Sequence, residues 1–215
     1  VENKTVCSNE GGAPIILSPG IGTYTWTNSN PAIGLAASGT GFIPSWGTIN
    51  TSANAISGTI TVINSNGSCS SEPITFTLTV NPLPVVDPSF GITQFCDQIP
   101  TNEIIFNGNF PGLVYNWTNS NTIIGLPANG TGNIPSFTPN VTGVSDAIGN
   151  IAVTGDLLLN GKVCSSSPRF FPITIKTLPT VNVVTDKFSC NGSTIGVQFT
   201  ATNSIPTFFT WTNNN

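Results

Sequence analysis

The sequence predicts an all-β protein built from tandem sandwich-like domains of about 90 to 95 residues. A seven-residue phrase at residues 24–30 returns at residues 115–121 and in closely similar form at residues 209–215. Residues 24–46 and 115–137 are identical at 16 of 23 positions. Short runs alternate apolar residues with Thr, and Gly, Pro and Asn interrupt them. A repeat of this length has the size of one autonomous domain, and is too long for a solenoid unit.

Two proline-containing segments, residues 81–85 and 176–180, follow the final strands predicted for each repeat. We place the domain boundaries there. The first repeat is residues 1–83, the second repeat is residues 84–178, and residues 179–215 are an incomplete N-terminal part of a third repeat. Because proline restricts the backbone, we expect the linkers to be short and stiff.

The clearest strand is Ile74–Val80, in which Ile74 and every second residue after it are apolar and the intervening residues are Thr. This alternation is typical of a half-buried strand. Its counterpart Arg169–Ile175 carries Pro172 on the outer face, which favours an edge position or a bulge. Further strands are expected at Thr59–Ile63 and Asn150–Thr154, each leading into a hairpin turn that contains Gly.

Each repeat is expected to hold about seven short strands, and no segment predicts a helix. This pattern favours an immunoglobulin-like β-sandwich with Trp in its core. The glycines of Gly39–Gly41 and Gly130–Gly132 are expected in tight turns with positive φ. The predicted core aromatic residues are Tyr24, Trp26, Tyr115, Trp117, Phe209 and Trp211.

The five cysteines follow the repeat. Cys7, Cys96 and Cys190 stand 19, 21 and 21 residues before the Trp of the shared phrase, and Cys69 and Cys164 lie near the ends of their repeats. The simplest interpretation is intra-repeat pairing of Cys7 with Cys69 and of Cys96 with Cys164, with the partner of Cys190 outside the printed sequence. Each bridge would tie the first strand to the last hairpin. Free thiols in a reducing compartment are the alternative, and the low charge favours an oxidising exterior.

Composition argues against several functions. Five Lys and Arg stand against nine Asp and Glu, which gives a net charge of −4, so nucleic acid is not expected as a partner. The sequence contains no His and no CxxC or Asp-x-Asp spacing, so we expect no catalytic residues, no metal site and no cofactor. Asp146 and Asp156 come nearest to a carboxylate pair, and solvated loops account for them better. We expect no membrane insertion by this segment and an export signal outside the printed sequence.

One aromatic residue is a candidate for a contact surface. Phe42 aligns with Asn133 of the second repeat and is expected to be exposed, whereas Trp46 aligns with Phe137 and is expected to be buried. Together with the outward rows of Thr, Phe42 is the best candidate contact residue. Trp26 and Trp117 could instead serve as sugar-stacking platforms, but their Tyr neighbours two residues away favour the core.

The repeated phrases resemble a known family. The run Trp-Thr-Asn-Ser-Asn, then Ile-Gly-Leu, Gly-Thr-Gly-x-Ile-Pro-Ser and Thr-Phe-Thr-Leu-Thr-Val-Asn-Pro resembles the PKD-like repeats of giant cell-surface adhesins of Bacteroidetes bacteria, including those of gliding motility. The resemblance covers the whole chain. It implies a β-sandwich fold, export by the type IX secretion system, and display at the cell surface as a long filament carried by motors.

The expected function is therefore structural. The repeats would form a disulfide-clamped shaft of an extracellular adhesin, in contact with neighbouring repeats, and other parts of the parent would meet the gliding and secretion machinery. Two alternatives remain. The repeats could bind surface polysaccharide or the substratum themselves through Phe42, or they could be the spacer of a secreted glycosidase.

Overall fold

The computed structural model describes residues 1–17, 21–87, 89–141, 145–202 and 208–213, and it is all-β. Each repeat contributes six strands and one 3-10 turn of three residues. In the first repeat these are β1 (Lys4–Cys7), β2 (Thr23–Asn28), a turn at Pro31–Ile33, β3 (Ser38–Thr40), β4 (Ile56–Asn66), β5 (Cys69–Ser70) and β6 (Ile74–Asn81). In the second repeat they are β7 (Gln94–Cys96), β8 (Val114–Asn119), a turn at Thr122–Ile124, β9 (Asn129–Thr131), β10 (Ala147–Leu159), β11 (Lys162–Ser165) and β12 (Arg169–Lys176).

The two repeats build mixed sheets of the same topology. The first sheet has the order β1-β6-β4-β2-β3, with β5 paired to β4, and the second has the order β7-β12-β10-β8-β9, with β11 paired to β10. The first strand of each repeat runs parallel to the last strand. The pairs β2–β3, β2–β4, β4–β5, β4–β6 and β10–β11 are antiparallel. The prediction of an all-β chain is confirmed, with six strands per repeat in the described residues where seven were expected.

Strand β6 shows how the alternating pattern forms the core. Phe76, Leu78 and Val80 are buried, as predicted, whereas Ile74 at the beginning of the strand is 61% exposed. Ile74 pairs with Val62 at the end of the β4–β6 ladder. The alternation therefore predicts the buried face of the strand correctly, but its first residue, Ile74, lies at the margin of the sheet and is exposed.

The core of the first repeat lies against one face of its sheet. It comprises Ile15, Leu17, Trp26, Ile33, Leu35, Ile43, Ile60, Val62, Phe76, Leu78 and Val80. Two extended segments outside the sheet supply part of it, because isolated antiparallel bridges join Ile15 to Ile43 and Gly12 to Trp46. Trp46 is half-buried against this core.

Pro172 of β12 occupies a local edge. In sheet order β12 lies between β7 and β10, so the strand as a whole is internal. However, β7 pairs only with Thr174–Lys176, and Pro172 lies before that paired stretch. The Thr174 N–H donates to Thr93 on the β7 side, so the N–H that Pro172 lacks would lie on that same side, beyond the end of the paired stretch. Its absence therefore removes no ladder hydrogen bond.

The chain divides into two compact units. Unit 1 comprises Val1–Ser89, Phe106–Trp117 and Val153–Arg169, and unit 2 comprises Phe90–Ile105, Thr118–Ala152 and Phe170–Asn215. Unit 1 therefore contains the whole first repeat together with parts of the second. The domain boundaries at residues 83 and 178 remain predictions.

The predicted core aromatic residues divide by repeat. Trp26 and Trp117 are buried, at 3% and 4% exposed, and Tyr24 packs half-buried at the margin of the first core. Tyr115 is also half-buried, and its ring lies 5.5 Å from the ring of Phe106.

The prediction is wrong for Trp211, which is 71% exposed. Phe209 is half-buried, with its ring 5.9 Å from that of Phe199. Trp26 lies in β2 and pairs with Val62 of β4, whereas residues 208–213 are not part of a strand. Trp211 therefore lacks the sheet setting that buries Trp26.

Within the described residues, the structure contains no helix of sufficient length and apolarity to cross a membrane.

Candidate functional site

The site that stands out chemically is a covalent junction between the two repeats, inside compact unit 1. Cys7 at the end of β1 is bonded to Cys164 of β11, with the two Cα atoms 5.6 Å apart. Both side chains are buried, at 6% and 1% exposed. The predicted intra-repeat pairing, Cys7 with Cys69 and Cys96 with Cys164, is therefore wrong. A first strand and a hairpin are joined as expected, but they belong to different repeats.

The register of the first sheet explains why the intra-repeat pairing fails. Cys7 of β1 pairs with Asn81 of β6. The preceding residue of β6, Val80, pairs with Ile56, so Cys7 lies near the Ile56 end of β4. Cys69 pairs with Asn66 at the other end of β4. The two ends of β4, Ile56 and Asn66, are ten residue steps apart, or about 33 Å. A disulfide requires Cα atoms closer than about 7 Å, so Cys7 and Cys69 cannot meet.

Three cysteines remain as thiols in the described part of the chain. Cys69, Cys96 and Cys190 are exposed and have no disulfide partner. Cys96 pairs with Lys176 in the parallel ladder of β7 and β12, and so holds the position that Cys7 holds against Asn81 in the first sheet. The partner of Cys190 stays a prediction.

A tight hairpin presents Cys164 to the first repeat. Leu159 of β10 pairs with Lys162 of β11, so Asn160 and Gly161 form the two-residue loop. Both have positive φ, 50° and 72°, as a type I′ turn requires. The Asn-Gly sequence therefore sets the hairpin register.

A turn after β1 adds an ion pair to the bridge. The Glu10 carboxylate accepts a hydrogen bond from the Cys7 N–H at 2.8 Å, and its other oxygen lies 2.7 Å from the Lys162 ammonium. The hydrogen bond from Lys162, followed by that from Cys7, lowers the pKa of Glu10 below its ordinary value. The carboxylate therefore stays charged in mildly acidic solution and links the turn to the hairpin.

Asn81 connects the hairpin tip to the end of the first sheet. Its side-chain amide donates to the Leu159 carbonyl at 2.6 Å, and its side-chain oxygen accepts from the Asn160 amide at 2.9 Å. Its own carbonyl accepts from the Ser8 N–H at 2.9 Å. Asn81 is completely buried, so every one of these polar contacts replaces a bond to water.

The linker after Asn81 is packed on both sides. Pro82 and Pro84 are buried, and Val86 is fully buried and forms an antiparallel bridge with Gly108. Val85 exchanges hydrogen bonds with Asn109, donating to its side chain at 2.8 Å and accepting from its N–H at 3.2 Å. The linker is therefore a packed part of unit 1, and its stiffness stays a prediction.

The bridge closes a long loop. Cys7 and Cys164 are 157 residues apart in sequence. In the chain-entropy model, closing a loop of that length stabilises the folded state by about 5 kcal/mol at 25 °C. This compares with a total of about 5 to 15 kcal/mol for a typical domain, so the junction is a large part of the stability of both repeats.

The shared Trp-Thr-Asn-Ser-Asn phrase has a second role that sequence analysis missed. The buried Asn28 side chain donates to the Leu35 carbonyl at 2.9 Å and accepts from the Asn30 N–H at 3.0 Å. Asn30 in turn accepts from the Ala32 N–H and caps the 3-10 turn. Burial of Asn28 beside the core Trp therefore fixes the loop that follows β2. The repetition of both asparagines in the next repeat was the signal that could have shown this.

The second repeat has the same network. Asn119 donates to the Leu126 carbonyl at 2.9 Å and accepts from the Asn121 N–H at 3.0 Å, and Asn121 caps its 3-10 turn through the Ile123 N–H. The side-chain amides of Asn28 and Asn119 therefore make their hydrogen bonds to the backbone of the loop that each one holds in place.

The other candidate residues are separate from the junction. Phe42 is 55% exposed, as expected for a contact residue, and its counterpart Asn133 donates to Glu103. Asp146 is paired with Lys176 at 2.7 Å, and Asp156 accepts from Asn116 at 2.8 Å. Each carboxylate therefore has its own structural partner.

Among the described residues, no group of three or more Cys, Asp or Glu side chains is arranged to hold a metal ion. A comparison with models of known protein families found no match, and a comparison with curated proteins found none either.

Proposed function

We propose that this chain is a repeat segment of a large extracellular bacterial adhesin and forms part of its shaft. In this proposal the repeats are immunoglobulin-like domains of the PKD-like kind. The observation that carries the proposal is the Cys7–Cys164 bridge, because it joins consecutive repeats covalently at a point where the linker is also packed.

The bridge provides a short path for tension. Force that enters at Val1 reaches Cys7 after six residues, crosses to Cys164, and continues toward the C-terminus without passing through the residues between. Almost all of both repeats is thereby removed from the tensioned backbone. A shaft built this way transmits a pull with little elongation, even where a repeat loses its fold.

Composition supports an extracellular location. Only 7% of residues are charged, and the described chain contains a buried disulfide, which is a feature of proteins in oxidising compartments. Type IX secretion, gliding motility and contact with the motor machinery through other parts of the parent follow from the family resemblance and belong to the same proposal. The proposal assigns no catalytic role and no cofactor.

The test replaces Cys7 and Cys164 with Ser in the parent protein and measures retention of cells on a surface under flow. We expect retention to fall at high flow, while antibody labelling of intact cells shows the same amount of protein at the surface. A Gly47→Ala variant is the matched control, because its new Cβ enters open space and the change touches no cysteine. Equal retention of all variants at equal display would contradict the shaft role.

A cavity beside the junction favours a second candidate function, glycan binding. The cavity of about 440 Å³ is lined entirely by uncharged residues, which are Ser8, Asn9, Ile49, Asn50, Thr51, Ser52, Ala53, Pro82, Leu83, Val85, Asn109 and Phe110. Hydroxyl groups, amides and one aromatic ring suit a neutral saccharide. The test is binding to a glycan array by the oxidised chain, with Phe110→Ala and Phe42→Ala variants. Loss of binding only with Phe110→Ala would favour the cavity, and absence of binding would favour the shaft alone.

A further inference from the structure

In the described part of the chain, one disulfide joins the two repeats, and two exposed thiols stand at positions that correspond to its two cysteines. Cys7 and Cys96 occupy the same place in their sheets, at the end of the first strand and level with the end of the last strand. Cys164 and Cys69 both lie on the second strand of a hairpin. The bonded pair is buried, and the unbonded pair is exposed.

The Cys96 end reproduces the local geometry of the Cys7 end. The second residue after each cysteine has positive φ, 63° at Asn9 and 61° at Gln98. The N–H of the third residue after each cysteine donates a hydrogen bond to the cysteine carbonyl, from Glu10 at 3.2 Å and from Ile99 at 3.4 Å. The residue after each cysteine donates to the end of the last strand, at 2.9 Å to Asn81 and 2.8 Å to Lys176.

The Cys69 end likewise corresponds to the Cys164 end. Two residues after each cysteine, a serine hydroxyl accepts a hydrogen bond from the facing strand, at 3.1 Å for Ser71 and 2.9 Å for Ser166. The backbone N–H of each serine returns to the same facing residue, at 2.8 Å and 2.9 Å. The difference is length, because the first hairpin is four residues shorter between these anchor points.

The two free ends lack the Glu10–Lys162 ion pair of the bonded junction. The shorter hairpin lacks the segment that carries Lys162, and Ile99 stands where the first repeat has Glu10. The Cys96 end carries Lys176 and Asp97 where the first repeat has Asn81 and Ser8. Lys176 is paired with Asp146, and Asp97 accepts hydrogen bonds from the Val141 N–H and the Gln98 amide, so both charges have partners within their own chain.

We propose that Cys69 of one copy of the chain and Cys96 of a second copy form a head-to-tail disulfide junction of the Cys7–Cys164 kind. With oxidised glutathione as the oxidant, the Cys96 thiolate attacks one glutathione sulfur and releases one glutathione thiolate. The Cys69 thiolate then attacks the Cys96 sulfur of the mixed disulfide and releases the second. Two protein thiols are oxidised, one glutathione disulfide is reduced, and the two thiol protons end on the released glutathione.

The experiment uses the full chain in a Cys190→Ser background, with Cys69→Ser and Cys96→Ser introduced separately. Each variant is oxidised in a glutathione buffer alone and as an equal mixture, and the products are identified by non-reducing electrophoresis and peptide mapping. We expect the mixture to form a Cys69–Cys96 dimer and neither variant alone to form a homotypic dimer. Random collision would give heterotypic and homotypic bridges in about equal amounts, so a clear excess of the heterotypic bridge is required.

Three outcomes would overturn the proposal. The first is that the mixture forms no cross-linked dimer. The second is that each single variant forms as much homotypic dimer as the mixture forms heterotypic dimer. The third is that, when Cys190 is restored, Cys69 cross-links to Cys190 as efficiently as to Cys96. Cys190 is the in-chain control, because it is an exposed thiol followed by the same kind of turn but is not part of a strand. Mapping of Cys7–Cys164 in the same samples tests the first junction separately.

Discussion

Reduction of the Cys7–Cys164 bridge should lengthen the unfolded chain by more than twice the length of its oxidised form. The perturbation is a reducing agent, or Ser at both cysteines, applied to a chain held by its two ends. With the bridge intact, only the six residues before Cys7 and the 51 residues after Cys164 can extend. At about 3.3 to 3.6 Å per residue, their contour length is about 190 to 205 Å.

Without the bridge, the 157 residue steps between the two cysteines join the tensioned chain. They add about 510 to 560 Å, after subtraction of the folded separation of the two Cα atoms. The assay is single-molecule stretching of the full chain before and after reduction. Intra-repeat bridges would instead hide two segments of about 200 to 245 Å each, because Cys7–Cys69 and Cys96–Cys164 span 62 and 68 residue steps.

The control variant carries Cys69→Ser and Cys96→Ser. It should behave as the unmodified chain, because neither thiol is bonded within the molecule. An oxidised chain that extends well beyond about 205 Å, or a control variant whose length changes, would refute the assigned pairing.

Three further changes test the packing and the electrostatics. Gly39→Ala should lower the free energy of unfolding, measured by urea titration, by about 1 to 3 kcal/mol, because its new Cβ would lie 2.2 Å from the ring of Trp26. The control Gly47→Ala places its Cβ in open space and should change the free energy of unfolding by less than about 0.5 kcal/mol. Glu10→Gln should destabilise the chain at pH 7, and the loss should shrink as the pH falls below 4.5, because a lowered carboxyl pKa contributes stability that is lost as the pH falls through the folded value. A loss that does not change with pH would contradict this. Asn28→Ala should cost about 1 to 3 kcal/mol in thermal unfolding by leaving buried backbone groups unpaired, and an unchanged melting temperature would exclude that role.

Local pattern predicted the parts of the fold that depend on neighbouring residues. The alternation of β6 gave the buried face of Phe76 and Leu78, and the Gly-containing turn expected after Asn150–Thr154 is a hairpin that Asn160 and Gly161 close. The expectation of positive φ was correct for Gly41 and Gly132, at 73° and 72°, and wrong for Gly39, whose φ is not positive. Gly39 serves a different purpose, since it makes room for the ring of Trp26.

The disulfide could not be predicted because it depends on the separation of residues in space. Sequence distance favoured Cys69 as the partner of Cys7, yet β4 is eleven residues long and holds their positions at opposite ends. The predicted strand, Thr59–Ile63, has only five residues, so the distance between the positions of Cys7 and Cys69 was underestimated. An accurate strand length would have excluded the intra-repeat bridge and left the neighbouring repeat as the source of the partner.

The Cys7–Cys164 loop also determines what a protease can achieve. A single cut at any exposed peptide bond between residues 8 and 163 leaves both fragments attached through the two sulfur atoms. The linker between the repeats lies within that range, so its cleavage would not separate them. The chain would therefore need two cuts, or one cut together with reduction of the bridge, before its ends came apart.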